Sequence, residues 1–154
     1  PANDAWSLKP LGKRTIGPDT LNHLRHARYF GSADGVRDLM RTHRAIIEPK
    51  FEQVETILEE RLGGHQVATW TRPEGGYFIS LDVPDGCAAR VVALAKQAGI
   101  AMTGAGAAFP YGKDPRDRNI RIAPTFPSPD DVAAAIEGLC TCVLLAAVEQ
   151  QTAV

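Results

Sequence analysis

Near its C-terminal end the chain reads Asn119-Ile120-Arg121-Ile122-Ala123-Pro124. Period-two alternation puts Ile120 and Ile122 on one face of a short strand and Arg121 on the other. An arginine fixed on a strand keeps its charge, and its planar fork meets a carboxylate with two parallel hydrogen bonds. That is a way of gripping a small carboxylic acid without taking part in its chemistry. On spacing alone the plainer reading, an arginine on the exposed face of an edge strand, is the stronger one.

Other reactive patterns are thin. His23, His26, His43 and His65 are not spaced with Cys87, Cys140 and Cys142 as zinc ligands, so no metal site is expected. Cys140 and Cys142 stand two apart in a helical pattern and share no face. They read as small core or surface residues of a reducing compartment, not as a disulfide framework. Gly104-Ala105-Gly106 lacks the lysine of a phosphate loop and the full dinucleotide pattern, and reads instead as a place of close backbone approach. No Ser/His/Asp set and no pair of catalytic carboxylates can be assembled. Lys+Arg 17 against Asp+Glu 18 leaves a net charge of −1, which argues against a broad basic surface for nucleic acid. No run of membrane-span length and no signal peptide at the start are read, so a cytoplasmic location is expected.

Arg121 must be held by a framework, and the periodicities supply one. The 154 residues, 44% hydrophobic and 23% charged, suit one globular domain with a real core. Residues 1–13 show no periodicity and look like a cut end. Gly17-Pro18-Asp19 marks a turn, with Asp19 or Thr20 capping a helix through about Tyr29. Gly31-Ser32 breaks it, and Asp34 is expected to cap the next. From Asp34 to Leu62, Val36, Leu39, Met40, His43, Ile46, Ile47, Phe51, Val54, Ile57, Leu58 and Leu62 recur every three or four residues. Such a helix is roughly 43 Å long, longer than a small domain needs, and suggests a connector between domains. Pro49 should bend it. His43, on the stripe, reads as a core or interface histidine.

After Gly63-Gly64 the period changes to two. Val67 to Thr71 and Tyr77 to Val83 read as an antiparallel hairpin around Arg72-Pro73-Glu74-Gly75-Gly76. A helix follows from about Cys87 to Ala98, capped by Gly99. Ile100 to Thr103 reads as a short strand. The small-residue run to Phe109-Pro110, a charged loop from Lys113 to Arg118 and the arginine strand come next. Ser128-Pro129-Asp130-Asp131 opens a last helix to about Gln150, and residues 151–154 are expected to fray. The order gives a two-layer α+β domain: a small, mostly antiparallel sheet with helices packed on one side, preceded by a long connecting helix. By pattern alone this suits a non-enzymatic ligand-binding module as well as part of an enzyme.

Longer blocks carry more. Ile16-Gly17-Pro18-Asp19 with Leu24-Arg25-His26, Pro73 through Asp82, Phe109-Pro110-Tyr111 with Lys113-Asp114-Pro115, and Asn119 through Ser128 together span nearly the whole chain. In these blocks the chain resembles the C-terminal small domain of a fold-type I, pyridoxal-phosphate-dependent aminotransferase of class I/II, nearest the bacterial and actinobacterial aspartate aminotransferase branch. The resemblance implies a division into a large-domain remnant at 1–33, a small domain at 34–150 and a tail at 151–154. It implies that Arg121 binds the substrate α-carboxylate, and that Gly76, Tyr77 and Phe109 lie near the active-site rim. It also implies aspartate and 2-oxoglutarate as the substrate pair, a large domain that carries the cofactor and the lysine joined to it, and a homodimer in the cytoplasm. No residue of this chain, Lys9 and Lys13 included, is assigned a catalytic or cofactor-binding role, and the chain alone is expected to be inactive. A pyridoxal-phosphate lyase or decarboxylase on the same fold is the alternative.

Overall fold

The structure, a computed structural model, describes residues 19–152. The expectations for residues 1–18, including the cut end, Lys9, Lys13 and the Gly17-Pro18 part of the turn, lie outside the described residues, as do residues 153 and 154. The described residues divide into two compact units, with the boundary between residues 44 and 45.

In the first unit, α1 (Thr20–Phe30) begins where its cap requires. Asp19 accepts the Asn22 N–H at 3.0 Å, satisfying one of the donors that a helix start leaves free. Gly31 ends it in the left-handed region, its φ of 63° costing glycine little, and donates to the Ala27 carbonyl. The second helix, α2 (Ala33–Leu62), starts one residue earlier than expected. Its cap is Ser32, whose Oγ accepts the Gly35 N–H, and not Asp34. Asp34 lies inside the first turn and pairs with Arg37, as Asp38 does with Arg41.

The long apolar stripe of α2 proves to be two regions. Its second half buries Phe51, Val54, Ile57, Leu58 and Leu62. In the first half Met40 is 64% and Ile46 58% exposed, and His43 is exposed too, so this histidine is not a core residue of the described chain. Helical period shows that a face is apolar; it does not show what covers it. The helix runs on through Pro49, whose ring leaves the Ala45 carbonyl without its helical donor.

In the second unit three antiparallel strands form one sheet in the order β1 (Thr69–Trp70), β2 (Ile79–Asp82), β3 (Asn119–Ile122). The hairpin forms as expected but with shorter strands. At its loop end Thr71 enters the pairing partly through its side chain: the Ser80 N–H donates to Thr71 Oγ1, while the Thr71 N–H donates to the Ser80 carbonyl. That substitution ends the regular ladder. Helix α3 (Ala88–Gln97) closes with Gly99 at φ 82°, and the Ile100 N–H returns to the Ala95 carbonyl, the double closure that glycine permits. This closure spends the Ile100 donor on the helix, and the expected strand over Ile100 to Thr103 does not form. The last helix, α4 (Pro129–Thr152), is capped by Ser128, which accepts the Asp131 N–H and donates to the Asp131 carboxylate.

The core lies between one face of the sheet and the helices. Val54, Leu58, Leu62, Ile79, Leu81, Val91, Ile120, Leu139 and Val143 are essentially inaccessible to solvent. Contrary to the sequence reading, α4 is by length and composition apolar enough to cross a membrane. Its composition has a nearer cause, since Val132, Ile136, Leu139, Val143 and Ala147 are buried in the core. Cys140 and Cys142 are buried with them, and all three thiols are free.

Candidate functional site

Register across β2 and β3 decides what stands beside Arg121. Ile79 faces Ile122, Ser80 faces Arg121, Leu81 faces Ile120 and Asp82 faces Asn119. Alternation therefore collects Ile79, Leu81, Ile120 and Ile122 on the core face, and Ser80, Asp82, Asn119 and Arg121 on the other.

The polar face is knitted from the inside. Asn119 is 8% exposed, and its amide donates to Ser80 Oγ at 2.7 Å and to Asp82 Oδ1 at 2.8 Å. The second Asp82 oxygen takes Arg118 at 3.1 Å. Upstream, the Asp114 carboxylate accepts the N–H groups of Arg116, Arg118 and Asn119, so one side chain fixes the entry to β3. Partial burial works to raise its pKa, but these three donors and the Arg118 charge outweigh it and hold the carboxyl below its ordinary value. Asp117 accepts from the Ala88 and Ala89 N–H groups and so caps α3 from a distance, tying that helix to the same loop.

Arg121 is left uncommitted. Its guanidinium carbon lies 4.5 Å from the centroid of the Phe78 ring, a cation–π contact that braces the fork. Its Nε is buried without a hydrogen-bond partner, and it forms no ion pair among the described residues. A buried donor left unmade costs free energy that a ligand oxygen recovers. Arg121 also lines a cavity of about 130 Å³ walled by residues 100–103, Ile122 to Pro124, Pro127 and the first turns of α4.

Gly76, Tyr77 and Phe109, which the resemblance puts near the rim, lie apart from the cavity lining. Gly76 adopts φ 91°, with open space where a Cβ would project. Tyr77 is exposed and Phe109 half-buried, and neither lines the cavity. Phe78, next to Tyr77, is the aromatic that meets Arg121. The small-residue run makes its close approach within its own loop: a Cβ on Gly106 would stand 2.5 Å from the Gly112 carbonyl oxygen. Three residues were missed by the sequence reading. Asn119 had a signal, since it shares a strand face with Arg121. Lys50 had one too, because it interrupts the apolar stripe between Ile47 and Val54. Nothing local marked Phe78 as the partner of Arg121.

The donor set of this cavity lining fits a carboxylate and lacks the amine that an imine to the cofactor needs. Arg121 and Asp131 are the charged residues of the cavity lining, which holds no lysine, so it offers a fork for an acid and no amine for an imine. Among the described residues no group of His, Cys, Asp and Glu is placed to hold a metal ion.

Sheet, helices and strand arginine have the build of an aminotransferase small domain. The chain belongs to the aspartate amino-transferase family, whose model matches residues 1–153. A Mycolicibacterium smegmatis protein bearing a provisional aminotransferase name is 65% identical over 147 residues, which are 96% of this chain and 34% of that protein. An aspartate aminotransferase of Corynebacterium glutamicum is 53% identical over the same shares. The crystal structure of an aspartate transaminase from C. glutamicum superposes with a TM-score of 0.86 at 53% identity, covering 96% of this chain and 35% of that one. The chain thus spans about a third of the length of the curated relatives it matches.

Proposed function

We propose that this chain is the substrate-carboxylate-binding portion of an aminotransferase that moves an amino group between aspartate and 2-oxoglutarate. The uncommitted Arg121 fork carries the reading. It stands on the polar sheet face, braced by Phe78 and without a protein partner for its Nε, and the residue is one of those lining a cavity. Gripping the α-carboxylate there fixes the orientation of the α C–H bond, a positioning role. Pyridoxal phosphate, the cofactor of this enzyme class, supplies the electron sink, held by protein outside this chain. No residue of this chain is assigned to move the α-proton, and the chain alone is proposed to be inactive. Apolar residues left exposed on the first unit, among them Leu21, Leu24, Tyr29 and Met40, fit burial against a large domain and a second subunit. Three unpaired thiols fit a reducing cytoplasm.

The test is Arg121→Lys in the full-length enzyme, which keeps the charge and loses the fork. We expect kcat/KM for aspartate to fall by the equivalent of about 2–5 kcal/mol with cofactor affinity retained. Unchanged kinetics would remove Arg121 from the site.

A further inference from the structure

Lys50 is a cation in an unusual place. It is 8% exposed, on the face of α2 that otherwise buries Phe51 and Val54. Its ammonium donates to the carbonyl of Thr125 at 2.9 Å and also to that of Pro127. These acceptors lie 75 and 77 residues along the chain, in the irregular segment between β3 and α4. Burying an ammonium is costly unless it is hydrogen-bonded, and carbonyls outside regular structure need donors in turn. One side chain answers both needs.

The segment it holds is a wall of the Arg121 cavity. Ala123, Pro124 and Pro127 line that cavity, and Ile122 joins them directly to the arginine strand. The ladder to β2 fixes the segment at one end, and the Ser128 cap fixes it at the other. Between those points lie two prolines, Pro124 and Pro127, which have no N–H to offer. Pro124 is buried, and the Lys50 clasp adds a long-range hydrogen-bonded tether there. Phe126, between the two clasped carbonyls, projects almost wholly into solvent and contributes no packing.

We propose that Lys50 is a positioning residue for substrate binding: it sets the distance between the Ala123–Pro127 wall and the Arg121 fork. The inference rests on the carboxylate-binding reading of Arg121. Lys50 touches neither substrate nor reacting atoms in this role. Its loss therefore weakens the grip on the acid more than it slows the chemistry.

The experiment uses the full-length holoenzyme with Lys50→Met, Lys50→Arg and Arg121→Lys. Steady-state kinetics are run with aspartate and 2-oxoglutarate. Calorimetric binding of succinate, a dicarboxylate with no amine to react, is measured alongside. Methionine keeps the stem and removes the donors, whereas arginine keeps donors at similar reach. We expect Lys50→Met to raise KM and the succinate Kd about 5–20-fold with kcat within about 2-fold, and Lys50→Arg to stay within about 2-fold of wild type throughout. A folded Lys50→Met enzyme with unchanged KM and Kd overturns the proposal. So does a fall in kcat without a change in KM, or a Lys50→Arg variant as impaired as Lys50→Met. Should Lys50→Met fail to fold, Lys50→Gln, which retains a single amide donor group, is read in its place: a KM and Kd raised at least about 2-fold support the role and unchanged values overturn it. Succinate binding weakened by Arg121→Lys but not by the Lys50 variants defeats only the role of Lys50. Silence of Arg121→Lys defeats the carboxylate reading and this inference together.

Discussion

On β3 the inward side carries Ile120 and Ile122, packed with Ile79 and Leu81, while the outward side carries Asn119 and Arg121 beside Ser80 and Asp82. The inward side is redundant: many apolar contacts share the load, and each side chain depends on volume more than on one partner. The outward side is specific. Asn119 depends on Ser80 and Asp82, and Arg121 on Phe78. A single strand thus supplies stability on one side and a positioned charge on the other, and the two can be perturbed separately.

The strongest way to test that division is Leu81→Ala, which empties volume at a position with no solvent exposure. It should cost about 2–5 kcal/mol in denaturant unfolding. A loss under about 1 kcal/mol would mean that the sheet face is not the core. Next in size is Asn119→Ala, which strands Ser80 and Asp82 without their shared donor and should cost about 1–3 kcal/mol. Repeating it in a Ser80→Ala background sharpens the result, because coupling between the two should make their losses less than additive. Equal losses in both backgrounds would show that the polar face is not a network. The smallest effect is Phe78→Leu. The ring is 47% exposed, so stability should move by less than about 0.5 kcal/mol. The KM for aspartate in the full-length enzyme should rise about 2–5-fold, the worth of an exposed cation–π contact. A change in stability with no change in KM would make Phe78 part of the scaffold rather than a brace for the fork.

The same contrast explains how far the sequence could be read. The core face was legible because period two and period 3.6 report burial directly, as at Ile120, Ile122, Leu58 and Leu139. Caps at Asp19, Gly99 and Ser128 were legible because their chemistry is local. The strand over Ile100 to Thr103 was misread for a reason of the same kind: the residues have strand character, but the closure of α3 had already taken the Ile100 donor. Arg121 was visible as a candidate. The clasp of Lys50, the bridge of Asn119 and the ring beneath the guanidinium were not, because each joins positions 37 or more residues apart. Met40 and Ile46 show a third limit, since an apolar pattern reads alike whether its cover lies in the same compact unit or elsewhere.

The sulfur chemistry of the chain is quiet. Burial pushes the thiols of Cys87, Cys140 and Cys142 up, Cys140 to about 11, with nearby Asp117 adding to the shift at Cys87. Thiolate is the reactive form, so at neutral pH these residues give maleimides and peroxides little to attack. A cysteine introduced at Tyr111, which is 97% exposed, would therefore take a label ahead of all three native ones, turning the loop between the small-residue run and the arginine strand into an addressable reporter.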